Sequence, residues 1–154
     1  MEEAVIYQIF TRVCCNSGSQ NVPGGDIQTN GSGKLNSFTP TVLDDIKTMG
    51  VTHIWFTGLI AHASCTDYSK YGIPPSNPGT VKGRAGSPYA IRDYYDIDPD
   101  LAVCVPDRMA EFQALVDRVH AAGMKFILDF VPNHVAREYR SIAKPKGIKD
   151  LGET

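Results

Sequence analysis

Apolar residues fall into three short runs and two periodic stretches. Their order along the chain defines the expected architecture. Residues 4–13, AVIYQIFTRV, are dense in β-branched and aromatic types, which suit a pleated strand. Residues 51–60, VTHIWFTGLI, and 125–131, KFILDFV, are apolar at nearly every position instead of alternating. Strands of that kind are covered on both faces, as in parallel sheets. Pro132 has no amide hydrogen to donate and ends the third run. The two periodic stretches precede the second and third runs. From Thr39 to Gly50 the pattern predicts a helix, with Thr39 as cap, Pro40 at the first position and Leu43, Ile46 and Met49 on one face. From Asp107 to Ala122 a second helix is predicted, with Met109, Phe112, Leu115, Val116 and Val119 forming its apolar face. Gly50 and Gly123 are natural stops for the two helices.

The expected order is therefore β, α, β, α, β, with an asymmetry in the connections. Each helix leads almost directly into a strand, whereas the first two strands are followed by long polar segments. Residues 14–38 are glycine-rich and lack an apolar period, and residues 61–105 carry Pro74, Pro75, Pro78, Pro88 and Pro99 among many Gly, Ser and Asp. Loops between strand and helix usually run to ~2–6 residues. In parallel α/β folds the loops that leave the strands' C-terminal ends build the site. Residues 133–154 are polar without a clear period, and no internal repeat is present.

Composition narrows the classes. The chain has 154 residues, 42% of them hydrophobic and 21% charged, with a net charge of −2. That suits one globular core and leaves no basic block for nucleic acid. No apolar run reaches the ~18 residues a membrane helix needs. The start, Met1-Glu2-Glu3, is acidic and unlike a signal peptide, so a cytoplasmic location is the default expectation. Cysteines 14, 15, 65 and 104 fit neither a metal-site spacing nor a regular disulfide framework and read as ordinary thiols, leaving a Cys65–Cys104 bridge open.

Two segments carry candidate chemistry. At the end of the third strand stands Asp129-Phe130-Val131-Pro132-Asn133-His134. A carboxylate that interrupts an apolar run is costly unless paired, so a partner such as an arginine is expected for Asp129. With Asn133 and His134 it could hold sugar hydroxyls or a hard cation. Equally, Asp129 could simply bond to backbone amides, with Asn133 and His134 as loop residues. The second segment runs from Ser87 to Pro99, where Tyr89, Tyr94 and Tyr95 stand among charges. A tyrosine offers a pyranose an apolar face and a polar tip, although Tyr94 and Tyr95 suit packing over a sheet end as well. Gly31-Ser32-Gly33-Lys34 lacks the spacing of a phosphate loop and reads as a turn. Asn30-Gly31-Ser32 is a glycosylation sequon common by chance. His53, His62 and His120 are scattered, and His120 reads as a packing residue on its helix.

DFVPNH resembles the first signature region, Asp-x-x-x-Asn-His, of the α-amylase superfamily, glycoside hydrolase family 13. IYQIFTRV is similar to that family's first strand, GVTHIWFTGL to its second, and YAIRDYYDIDPDL to its tyrosine-bearing loop. The resemblance implies an α/β fold: an incomplete (β/α)8 TIM barrel of three strands and two helices, residues 1–135. The start of the excursion after the third strand would follow at 136–154. It implies a retaining glycoside hydrolase acting on α-glucans such as starch or maltooligosaccharides. His134 would bind a sugar hydroxyl, Tyr89 would be the stacking platform and Asp129 would help fix a site arginine. Asn133 would match a calcium ligand, making calcium the candidate cofactor, and Asp93 would order the tyrosine segment. The family's nucleophile and acid/base follow later strands, so no catalytic residue is expected in these 154 residues and the chain alone is expected to be inactive. The alternatives are a family transferase or isomerase acting on maltose, sucrose or trehalose, an inert carbohydrate-binding fragment, or a free-standing three-stranded domain with an unrelated ligand. An α-glucan or oligosaccharide is the expected partner, without nucleic acid or membrane. A half-covered sheet would also expose apolar edges and favour self-association.

Overall fold

A computed structural model describes residues 3–18 and 20–153. Ser19, in the first long polar segment, and Met1, Glu2 and Thr154, at the ends of the expected division, lie outside the described residues. In chain order the elements are β1 (Ile6–Phe10), a short helix α1 (Ile27–Asn30), α2 (Pro40–Thr48), β2 (His53–Thr57), β3 (Ile60–His62), β4 (Ile91–Ile97), α3 (Arg108–Ala121) and β5 (Lys125–Leu128). β1, β2 and β5 form a parallel sheet in that order, with Ile6 opposite His53 and His53 opposite Lys125. The chain is an α/β structure.

Side chains alternate across a sheet, so this register sorts them into two faces. Ile9, Ile54, Phe56 and Phe126 share the face that packs on α2, α3 and the turn around Leu35 and Phe38. Phe56 stacks on Phe126 at 4.8 Å and meets the edge of Phe38 at 5.2 Å. Ile54, Phe56, Leu43, Leu115 and Val119 are fully buried there, each contributing roughly 1.5–3 kcal/mol. The opposite face carries Gln8, which is exposed, Trp55, which is half-buried, and Thr57, which is buried.

The helices begin where local chemistry places them. Thr39 caps α2 by accepting the Val42 amide at 3.4 Å. Arg118 on α3 donates to the carbonyls of Leu35 and Phe38, both at 2.9 Å, and so ties α3 to the turn before α2. The apolar stripes differ from expectation. Met49 and Met109 are exposed, and Glu111 is buried in line with Leu115 and Val119 because its carboxylate accepts the amides of Val103 and Cys104 at 3.0 and 2.7 Å. His120 is exposed in the last turn of α3 and does not pack.

Three expectations about the strands need correction. The apolar run 51–60 is not one strand but breaks at Gly58, whose φ is +79° and where an added Cβ would lie 3.0 Å from Pro88. Its second half, β3, turns out of the parallel sheet and pairs antiparallel with β4, Ile60 opposite Ile97. The tyrosine segment, expected as a loop, is thus largely a strand. The third run also ends early, at Leu128. All four cysteines are free thiols, so Cys65 and Cys104 are not bridged. Among the described residues no helix is long and apolar enough to cross a membrane.

Candidate functional site

Because β1, β2 and β5 run parallel, their C-terminal ends open on one side of the sheet. There an open cavity of about 740 Å³ is lined by Gln8, Phe10, Arg12, Thr57, Pro88 and Tyr89. Gln8 donates to the Thr57 hydroxyl at 2.9 Å, which holds both side chains on the cavity floor. Arg12, just past β1, donates to the carbonyls of Ala85 and Gly86 at 2.8 and 3.0 Å and lies over the Phe10 ring. It thereby pins the segment leading to Tyr89 against the end of β1. Gly86 permits the approach: a Cβ there would fall 1.8 Å from the Ala63 carbonyl oxygen. Tyr89 lies at the cavity wall and is 44% exposed.

At the end of β5 the Asp129 amide still donates to the Phe56 carbonyl, at 3.3 Å. Leu128 is opposite Phe56, so alternation puts the Asp129 side chain on the same face as Thr57. Asp129 is half-buried and makes no ion pair among the described residues, so the arginine expected beside it is not among them. Water reaches the half-buried carboxylate, and no pairing is forced on it. Asn133 and His134 are exposed, and the Asn133 side-chain oxygen meets His134 Nδ1. The Tyr94 hydroxyl clamps this turn by donating to the carbonyls of Val131 and His134, the latter at 3.2 Å. Its ring packs against Phe130 and Tyr139 at 5.4 and 6.0 Å. Tyr94 therefore orders the turn, while Tyr95 stands 67% exposed.

Asp93 is buried and accepts two amides, from Tyr95 at 2.9 Å and Ile142 at 2.6 Å. It links β4 to the segment after β5, whose Ala136 and Arg140 amides also donate to β4, at 2.7 and 2.8 Å. Tyr89, Asp129, Asn133 and His134 thus stand at one end of the sheet, but the cavity beside Tyr89 is not lined by Asp129 or His134. A calcium ion takes ~6–8 oxygen ligands. Asn133 offers one, already engaged by His134, and no group of three or more His, Cys, Asp or Glu gathers among the described residues. These residues do not by themselves build a calcium site.

A buried cluster beside β3 was not singled out from sequence. His62 Nδ1 lies 2.9 Å from Asp98 Oδ2, close in distance but off the in-line hydrogen-bond direction, so charge holds the pair. Burial is the largest single influence and would drive the His62 pKa down; the charge and close contact of Asp98 together outweigh it, and the net direction is up. For Asp98 burial acts upward, and only the His62 charge together with the amides of His62 and Asp100 that donate to it holds it below the ordinary range. Asp100, beside them, is pushed up to about 6 by burial and by the Asp98 charge. The visible signal was Asp96-Ile-Asp98-Pro-Asp100, three carboxylates spaced by apolar residues.

The sequence profile of the alpha amylase catalytic domain matches residues 8–150, nearly the whole chain and every candidate position above. The chain belongs to the alpha-amylase family. It is 30% identical to the trehalose-6-phosphate hydrolase of Bacillus subtilis over 139 residues, covering 90% of this chain and 18% of that protein. Maltase 1 of Drosophila virilis is likewise 30% identical over 151 residues, covering 96% and 18%. Among solved structures, an alpha-amylase from Lactobacillus plantarum superposes with a TM-score of 0.58 at 29% identity, covering 90% of this chain and 24% of that one. The chain spans less than a fifth of the length of these two curated alpha-amylase-family relatives.

Proposed function

We propose that the chain is one wall of the catalytic (β/α)8 barrel of a retaining α-glucan hydrolase, residues 136–154 beginning the excursion that follows the third parallel strand. Tyr89 would stack on a pyranose ring, and His134 and Asp129 would hold its hydroxyls. One observation carries this reading: Arg12 pins the Tyr89 segment over the same sheet end from which the Asp129–His134 turn emerges. Retaining hydrolysis needs a carboxylate nucleophile and a second carboxyl group about 5–5.5 Å away. Asp93 cannot serve, because its oxygens are committed to backbone amides in the interior. Asp129 alone does not make the pair. The chain's own residues therefore bind and orient the sugar, and the groups that break the bond would come from later strands. The two curated relatives, named for trehalose-6-phosphate and maltose hydrolysis, favour a short α-glucoside or maltooligosaccharide.

The test uses the 154-residue chain with maltotriose. We expect no release of reducing sugar and weak binding in titration NMR, with a Kd on the order of 1 mM, worth about 4 kcal/mol. Tyr89→Ala and His134→Ala should each weaken binding without lowering the melting temperature. Turnover by this chain alone, or unchanged binding in both variants, would overturn the reading.

A further inference from the structure

A second cleft, of about 430 Å³, opens where the segment after β5 runs beside β4. Three arginines line it: Arg92 from β4, and Arg137 and Arg140 from the later segment. The Arg140 amide donates to the Arg92 carbonyl at 2.8 Å, which sets the two residues side by side. Arg92 is half-buried and donates to the Pro74 carbonyl at 2.6 Å. Burial, and then the Arg140 charge, hold its pKa below the ordinary guanidinium value. Among the described residues no carboxylate lies within 4.0 Å of any of the three guanidinium groups.

Three acids share the cleft: the Glu138 charge offsets part of that on Arg92, and none of the three reaches a guanidinium. Lys144 takes Asp150 at 3.1 Å and Glu153 at 2.6 Å. Both Glu138 oxygens accept the Asn77 amide, at 3.3 and 3.1 Å. Like charges gathered in a partly desolvated cleft repel unless an anion joins them. A neutral sugar does not supply that charge. A phosphate ester does, and its oxygens match the planar fork of a guanidinium in paired hydrogen bonds. The cleft also falls in the ~300–1,000 Å³ range of small-molecule sites, which leaves room for an organic part beyond the phosphate. Glu138 and Tyr139 line the wall and carry polar groups of the kind that suit hydroxyls.

We propose that Arg92, Arg137 and Arg140 form a binding site for the phosphate monoester of a small polyhydroxylated molecule. The site rests on the cleft's own charges and stands whether or not Tyr89 binds a sugar. It is tested by titrating the 154-residue chain with glucose 6-phosphate, inorganic phosphate and glucose at matched ionic strength, following binding by calorimetry. Glucose 6-phosphate should bind, inorganic phosphate more weakly, and glucose not at all. Arg137→Gln and Arg140→Gln should each weaken glucose 6-phosphate binding at least tenfold. Both side chains are exposed, so these changes leave the fold intact, and a melting curve for each variant verifies this. Equal binding of glucose and glucose 6-phosphate, or full affinity in both folded glutamine variants, would overturn the proposal.

Discussion

Asp100 is a buried carboxyl group that receives hydroxyl hydrogen bonds from Tyr68 at 3.0 Å and Thr66 at 3.2 Å, yet titrates late. Burial and the Asp98 charge raise it from an ordinary 3.8 to about 6, so between those values the folded chain holds a proton that the unfolded chain has lost. Stability from this group therefore falls as pH climbs from about 4 to 6. His62, raised by Asp98, acts in the same sense: its contribution is complete below pH ~6.5 and fades as pH rises through its higher folded value. Asp98 acts oppositely, contributing above pH ~3.9 and losing that contribution as pH falls further. Asp100→Asn imitates the protonated group at every pH. We expect the variant to match the wild type below pH 4 and to exceed it above pH 6, by roughly 2–3 kcal/mol in urea unfolding. A gap that does not change with pH would show that Asp100 ionises freely in the fold. The sequence shows the spaced carboxylates Asp96, Asp98 and Asp100 but not their pairing with His62. His62 looked scattered because its counter-charge lies thirty-six positions away, and only the fold brings them together.

The element scale turns on how β4 and α3 are joined. Arg108 opens α3 and grips Asp96 on β4 through two parallel bonds, Nε at 2.7 Å and a terminal nitrogen at 2.8 Å. Both side chains are largely buried. Removing one partner strands the other charge, so Arg108→Ala should cost about 3–5 kcal/mol of unfolding free energy. Arg108→Lys should recover only part of it, since an ammonium group does not reproduce the planar fork. A loss below 1 kcal/mol in the alanine variant would mean that water replaces the guanidinium. The same pair shows why some elements were readable and others were not. The caps of α2 and the stops at Gly50 and Gly123 are local events, written in adjacent residues, and they held. β4 is hidden in the sequence because Arg92, Asp93 and Asp96 spoil its alternation, and those charges are settled only by tertiary partners. The break at Gly58 was equally hidden, since an apolar run does not announce where the backbone turns from one sheet into another.

For the whole molecule, the deciding feature is the pair of unpaired sheet edges and the partly exposed face between them. Strand order β1-β2-β5 leaves the outer edges of β1 and β5 unpaired among the described residues. Around them Ile6 is 53% exposed and Phe130 61%, with Val5, Phe10 and Leu128 also open. Unpaired edges beside exposed apolar side chains recruit further strands. The chain should therefore associate with itself, and its sedimentation coefficient should rise with concentration across the micromolar range. Ile6→Lys places a charge on an edge and on that face, and Phe130→Lys removes the largest exposed ring near β5; together they should return the chain to a monomer. The cavity beside Tyr89 is floored by Gln8, Phe10 and Thr57, which belong to this same face. Association through that face would cover the sugar platform, so maltotriose binding per chain should fall as protein concentration rises and recover in the double variant. Concentration-independent sedimentation as a monomer, with saccharide binding equally constant, would show that the fold shields this face by itself.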